Sequence, residues 1–411
     1  MSPILYAFPV FLASMGVEAW LLRRRGLPGY DIPDALTSLH AGILSQVAGV
    51  FVKLLTFTLY VLVYQKFAVT AWPTDKAMSW VLALLAYDFI YYWAHRFGHE
   101  VGIMWAAHIV HHSSEHFNLS TALRQSSSGG LFGWVFYLPL AVMGVPPIML
   151  AIVGLIDLLY QYWVHTELIG KLGWLEKILV TPSNHRVHHG QNDYCIDTNY
   201  GGIFIIWDRI FGTYAYERDD EKVVYGVRSP LRSYNPLWAN LQHYAVLIDQ
   251  AAASKGWRQK LQVWLAPPGG WHHERVQPFD PAGFVRFEPP TPPDIKRYAV
   301  VHYVVLALML VHFLMVQAGL DMGSRLAYAA IILASALTVG GLLEGARWAL
   351  AAEAARLVAT ISAIFLWPVW FTLATPMVAR VAMVIGLGYC LWWAVRLMRT
   401  SPAAAAVAPA E

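Results

Sequence analysis

Residues 80–100 read WVLALLAYDFIYYWAHRFGHE. The run is apolar with a single acid, Asp88, until it meets His95-x-x-x-His99. Such a stretch has the pattern of a membrane helix. Two histidines four residues apart lie on one helical face. The segment therefore predicts imidazoles carried at the water-facing end of a membrane helix. Asp88, seven residues before His95, falls on roughly the same face. An acid inside an apolar span is a candidate for function, with a structural hydrogen bond as the plainer reading.

Three more groups follow: His108-x-x-His111-His112, a lone His165 at the end of another apolar run, and His185-x-x-His188-His189. By helical spacing each group presents one face, so distant segments could bring nine imidazoles together. A tetrahedral zinc needs four ligands, and a catalytic zinc three plus water. Nine suit two metals. Imidazole binds iron, zinc, copper and nickel, so ligand type alone does not name the metal. His116 lies beyond the pattern. His40, His243, His272, His273, His302 and His312 read as packing, surface or interfacial residues.

The composition supports a membrane setting. The 411 residues are 57% hydrophobic and only 13% charged, with a mean hydropathy of +0.45. Soluble domains carry about a quarter charged residues. Trp (18) and Tyr (21) are abundant, as expected of rings anchoring at the lipid–water boundary. A net charge of +3 does not suggest capture of nucleic acid. Cys195 and Cys390 cannot build a disulfide framework or a zinc ribbon, and read as buried residues.

Outward from the quoted stretch, an apolar run at 4–22 precedes Arg23-Arg24-Arg25. Charge after the run, not before it, predicts an uncleaved first span whose C-terminal end is cytoplasmic. A second span is expected at 36–64 and a third at 80–93. Runs at 131–143 and 147–164, broken by Gly144-Val145-Pro146-Pro147, read as a hairpin or two short tilted spans. This alternation puts every histidine group outside the spans and on the cytoplasmic side. Gly201-Gly202 suggests a tight turn beside the third group, and Thr181-Pro182-Ser183-Asn184 a helix start. The expected fold is all-α, a polytopic integral membrane helical protein with a cytoplasm-facing, histidine-rich di-metal site. Its domains are a membrane domain at 1–235 with histidine groups at 95–189; an interfacial aromatic segment and Pro-rich linker at 236–297; a C-terminal four-helix membrane region at 298–400; and a disordered tail at 401–411.

The strings HRFGHE (95–100), HIVHHSSEHFNLSTALRQS (108–126), WVHTE (163–167) and TPSNHRVHHGQNDYCIDTNYGGIFIIWDRIFGTY (181–214) carry a resemblance. The chain resembles the membrane fatty acid hydroxylase/sterol desaturase superfamily, most of all its alkylglycerol monooxygenase branch. The resemblance implies metal ligation by His95, His99, His108, His111, His112, His185, His188 and His189, with His165 as a ninth ligand. It implies two iron ions, O2, and a membrane-bound non-haem di-iron mono-oxygenase that hydroxylates a lipid C–H bond. The branch points to the ether-linked carbon of alkylglycerols and to an external reductant such as tetrahydrobiopterin. No His-Pro-Gly-Gly signature of a fused haem domain occurs, so a separate electron donor is expected. Glu100 is implied as a catalytic acid, with orientation of a ligand imidazole as its alternative role. Glu167 and Asp193 are candidates for similar support, and Arg124 and Arg186 for contact with a polar substrate group or an electron donor. Trp207, Phe211 and Tyr214 read as interfacial packing.

Two other classes remain open at the level of sequence. One is a hydroxylase or desaturase of a sterol, carotenoid or fatty acid. The other is a histidine-rich metal transporter or sensor, disfavoured because the histidines gather on one side. A zinc protease is excluded in its HExxH form, since HRFGH has no glutamate after its first histidine.

Overall fold

The computed structural model describes residues 4–268, 278–366, 369–370, 373–374 and 377–400. The expected tail at 401–411, His272 and His273 lie outside the described residues. The chain divides into two compact units. One holds Val10–Arg232 and Trp238–Arg286, and the other holds the N-terminal segment up to Pro9, Ser233–Leu237 and the chain from Phe287 onward.

Helix α1 (Ile4–Arg24) covers the first apolar run and ends on Arg23 and Arg24, which complement the carbonyl end of a helix. Helix α2 (Ile32–Phe67) starts on Asp31, whose side chain accepts from Asp34 N, with Pro33 in the first turn. Its 36 residues amount to about 54 Å, against roughly 30 Å for the hydrocarbon core. The second expected span is thus one continuous helix that exceeds the membrane thickness.

Helix α3 (Ala77–Glu100) includes both His95 and His99. Both lie in its last turns, at the end of the apolar helix as the spacing predicts, and the helix runs past the expected limit of the span at 93. Val101 is extended, with its N–H still bonded to Phe97 O, and α4 (Gly102–His112) begins at once. This break folds the second histidine group back against the first.

After α5 (Leu119–Ala122), the 131–143 run forms only short pieces. They are α6 (Gly130–Gly133), a 3-10 turn at Trp134–Tyr137, and α7 (Leu138–Val142). Gly144 turns the chain at φ +90°, where a Cβ would meet Thr70 O at 2.1 Å, so only glycine fits. Helix α8 (Pro147–Trp163) then runs back toward the histidines. Tyr60, Ala83, Leu140, Met149 and Val153 close an apolar core between these helices. The remaining helices of this unit are α9 (Pro182–His188), α10 (Ile206–Phe211), α11 (Pro236–Ala253, which begins in the other unit's short segment) and α12 (Trp257–Leu265).

The other unit holds α13 (Pro293–Val316), α14 (Met322–Leu343), α15 (Ala349–Leu366) and α16 (Met377–Thr400). A two-stranded antiparallel ladder, Val369–Trp370 with Leu373–Ala374, joins the last two. Tyr298, Leu342, Ala349, Leu357 and Ala394 form its core. Within it Glu353 is fully buried and takes hydrogen bonds from Arg356, Tyr298 and Thr338.

Among the described residues six helical stretches are long and apolar enough to cross a membrane: Ile32–Val52, Ala77–Glu100, Pro293–Gly319, Met322–Leu343, Ala349–Leu366 and Arg380–Leu397. Their outward side chains are apolar. Met78, Val81 and Leu82 of α3 are exposed, as are Val301, Val304 and Leu308 of α13. Contiguous exposed apolar faces of this kind are at home in lipid. The protein is an integral membrane protein built of helices.

Candidate metal centre

Four elements deliver the imidazoles. The end of α3 brings His95 and His99, and α4 brings His108, His111 and His112. The exit of α8 brings His165, and α9 with its C-cap brings His185, His188 and His189. Helix α9 is only seven residues long and depends on its cap. Thr181 and Asn184 form a reciprocal capping box, with Pro182 at the first position.

All nine histidines come together, in two sets. His95, His99, His108, His112 and His188 each offer a ring nitrogen lying within 4.8 Å of the others, and so do His111, His165, His185 and His189. The sets adjoin: the rings of His112 and His189 stack at 4.4 Å between centroids. His116 belongs to neither set.

The ring geometry fits metal. His95 Nδ1 lies 2.8 Å from Tyr200 O, His111 Nδ1 2.9 Å from Arg124 O, His165 Nδ1 2.8 Å from Gln161 O and His188 Nδ1 2.9 Å from Thr198 O. A carbonyl can only accept, so each Nδ1 carries the proton and each Nε2 is left with a lone pair. Those Nε2 atoms converge. His108 Nε2 is 3.0 Å from both His95 Nε2 and His112 Nε2; His165 Nε2 is 2.9 Å from His185 Nε2 and 3.3 Å from His111 Nε2. The Nε2 atoms of His99 and His188 are buried with no hydrogen-bond partner. Converging lone pairs repel unless a cation sits among them, and this donor set suits one divalent ion per group.

Burial, with neighbouring imidazoles adding to it, pushes the pKa of His108, His112, His185, His188 and His189 well below the ordinary histidine value. For His111 burial brings it down to about 4. These rings are neutral at physiological pH, the state a metal ligand requires.

The carbonyl tethers are themselves held. Asp88, fully buried, accepts from Ile203 N (2.6 Å), Phe204 N (3.2 Å) and Trp207 Nε1 (2.7 Å). Asp208 accepts from Tyr200 N (2.7 Å) and Gly201 N (2.8 Å). Together they clamp the 198–207 loop, which presents Thr198 O and Tyr200 O to His188 and His95. Gly201 and Gly202 are not a positive-φ turn; they are sites of close approach. A Cβ on Gly202 would stand 2.6 Å from Asp157 Oδ1 and 2.8 Å from Asp88 Oδ1.

Several polar residues make contacts with one another and with the backbone. Arg124 is buried and donates to Val110 O, Ser113 Oγ and Ser38 Oγ. Arg186 pairs with Glu217 through two nitrogens and also donates to Thr166 O and Ile169 O. Both arginines are internal fasteners. Glu167 accepts from Tyr225 Oη, and Asp193 pairs with Arg228. Glu100 bonds Arg96 Nε at 2.9 Å and is partly exposed. Trp207 does more than pack, since its indole anchors Asp88.

The sequence reading missed Glu18. This buried acid of α1 accepts from Tyr30 Oη, from Thr166 Oγ1 at 2.5 Å and from Leu119 N at 2.9 Å. It ties α1 to the residue after His165. It was as findable as Asp88, being an acid within an apolar run; so was Asp157. Asp208 carried no comparable signal.

Residues 80–213 match the family model for fatty acid hydroxylase. Helical membrane fold, paired histidine sets and this match define a membrane protein of the fatty acid hydroxylase class. The chain is 45% identical over 266 residues to the Homo sapiens alkylglycerol monooxygenase, covering 64% of this chain and 59% of that protein. It is 40% identical to the Xenopus tropicalis alkylglycerol monooxygenase, covering 75% of this chain and 69% of the relative, and 39% identical to the Danio rerio one, covering 82% and 77%. The chain belongs to the alkylglycerol monooxygenase family. No solved structure matches it.

Proposed function

We propose that this chain is a membrane-bound lipid mono-oxygenase in which the two histidine sets hold two iron ions. His95, His99, His108, His112 and His188 would hold one, and His111, His165, His185 and His189 the other. The observation that carries this reading is the tethered ring geometry, in which Nδ1 is committed to a carbonyl and Nε2 to a shared centre. Bound iron would supply dioxygen activation and C–H oxidation.

The substrate is an ether lipid, after the name its relatives carry. Hydroxylation of the carbon beside the ether oxygen places one atom of O2 in the C–H bond. The other leaves as water, with two electrons and two protons from an external reductant. The hemiacetal then collapses to an aldehyde and a glycerol. The reductant is a reduced pterin delivered separately, and the centre faces the cytoplasm, on the side of Arg23–Arg25.

The chain's own residues bind, orient and exclude water. Carbonyl tethers fix the rings, and fixed rings set the position where one substrate carbon must lie. Phe117 stacks on Tyr225 at 4.8 Å and on the His165 ring at 5.5 Å, forming an apolar wall over the second set. Glu100, at the aqueous end of α3, is the acid that exchanges protons with the site, with Arg96 holding its carboxylate.

The test is turnover of 1-O-alkylglycerol by iron-loaded protein in detergent, with labelled O2 and a tetrahydropterin. One labelled oxygen per aldehyde-forming event supports the reading. Loss of two hydrogens without oxygen gain would assign desaturation instead. Two irons per chain with no product from any ether lipid would reject the substrate and leave the metal centre standing.

A further inference from the structure

Helix α12 exposes large apolar side chains. Trp257, Leu261 and Leu265, at i, i+4 and i+8, are 72%, 56% and 53% exposed. Gln259 and Gln262, themselves exposed, line a half-open cleft of about 490 Å³ shared with α11 and the start of α4. Val263 and Trp264 are the helix's half-buried residues, while Arg258 and Lys260 are exposed beside the apolar ones. Exposed tryptophan and leucines flanked by cations place this helix at the lipid boundary, along one edge of the cleft.

The polar walls of the cleft are His243, Gln250, Ser254, Lys255, Gln259 and Gln262, its apolar walls include Leu247, Val263, Pro267 and Pro268, and no carboxylate lines it. His243 Nε2 is buried and has no partner. Burial holds this imidazole below its ordinary pKa, so it is a neutral donor–acceptor. Gly102 lies at the same cavity, two residues after Glu100. Its N–H bonds Ala266 O at 2.8 Å, and a Cβ there would press on Ala266 O at 3.0 Å and Val263 O at 3.1 Å. This edge of the cleft is thus in backbone contact with the junction between the first two histidine groups.

We propose that this cavity is the headgroup site for the lipid that the centre oxidises: it takes an oxygen-rich, hydroxyl- or phosphate-bearing headgroup while the chain of the lipid stays in the bilayer. The chemistry follows from the walls. Three amides, a hydroxyl and a neutral imidazole hydrogen-bond hydroxyl groups, and one ammonium without a competing acid favours a phosphate oxygen. The volume lies in the range of small-molecule sites. This assignment rests on the lipid mono-oxygenase reading above.

The experiment uses full-length protein in phosphatidylcholine nanodiscs and two photoreactive probes. One is an alkylglycerol with a diazirine at the glycerol end; the other is its glycerol-phosphate counterpart. Crosslinked peptides are mapped by mass spectrometry. Labelling is expected within residues 243–266, competed by the unlabelled lipid. It should fall about tenfold in the Gln250→Ala/Gln262→Ala double variant, from two hydrogen bonds of about 1 kcal/mol each offset by residual water contacts. With the same variant KM should rise about tenfold while kcat moves less than twofold. Lys255→Ala separates the two headgroups, because only the phosphate probe should lose label. Labelling concentrated outside 243–266, or label and KM unmoved in the double variant, overturns the assignment. Labelling is read without turnover, so retained label in a protein that oxidises no ether lipid would sink the reaction and spare the site.

Discussion

Replacing Asp88 by alanine should disable the metal centre without touching a ligand. Asp88 gathers two backbone N–H groups and an indole N–H, all from the segment that follows the third histidine group. With the carboxylate gone, three buried donors lose their acceptor. At roughly 1–3 kcal/mol each the gross cost is about 3–9 kcal/mol, and water entering the space would bring it to roughly 4 kcal/mol. The larger consequence is positional. Thr198 O and Tyr200 O hold His188 and His95, so a released loop frees two rings of the first set. Loss of such orienting contacts typically weakens metal affinity 10–100-fold. The assay is iron affinity of the purified protein against a chromophoric chelator, with thermal unfolding in the same detergent. Asp88→Asn, which keeps one carbonyl acceptor, should fall between alanine and the unaltered chain. An Asp88→Ala protein with affinity within twofold of the unaltered chain and the same melting temperature would refute the clamp.

Glu100→Ala should lower turnover at least a hundredfold and leave iron content near two per chain; equal loss of both, by metal analysis and product assay, would make the residue structural. His111→Ala should remove a ligand of the second set, halve the iron content and abolish turnover while the protein still inserts, as read by metal analysis of the detergent-extracted fraction. Metal-free protein should weaken on acidification. The unfolded His111 binds its proton below about 6.5 and the folded one only below about 4, so the unfolded state holds more protons in between and His111 alone lowers stability by roughly 3 kcal/mol from pH 6.5 to 4, the other buried imidazoles adding in the same direction; denaturant melts at four pH values check this, and a flat profile contradicts it. Glu353→Ala leaves Arg356 buried without its counter-charge and should cost about 3–5 kcal/mol, whereas Glu353→Leu with Arg356→Met should cost far less, both measured by thermal unfolding.

Periodicity makes much of this molecule legible from the sequence alone. His95 and His99 announce a shared face because side-chain spacing is set by the helix, and the apolar runs announce long helices because lipid leaves the backbone no other partner. The gathering of His165 with His111 and His185 was foreseeable only through topology. The carbonyl tethers were not, since Tyr200 O or Thr198 O is an atom every residue has. The internal bonds of Arg124 and Arg186 were hidden for a related reason. A cation beside a histidine group looks free in a string, and only the fold reveals that backbone carbonyls and Glu217 have already claimed it. The cleft beside α12 went unread because Gly102 and the 243–268 segment meet only in the fold.

Helix α15 carries Glu353 and Arg356 one turn apart, bonded to each other at 2.5 Å. A segment that brings its own counter-ion enters the bilayer as a neutral rod, with no need of a neighbour to cancel its charge on the way in. Tyr298 and Thr338 can then dock onto a carboxylate already in place. Biogenesis of the C-terminal bundle can therefore proceed one helix at a time, with lateral assembly left for after insertion.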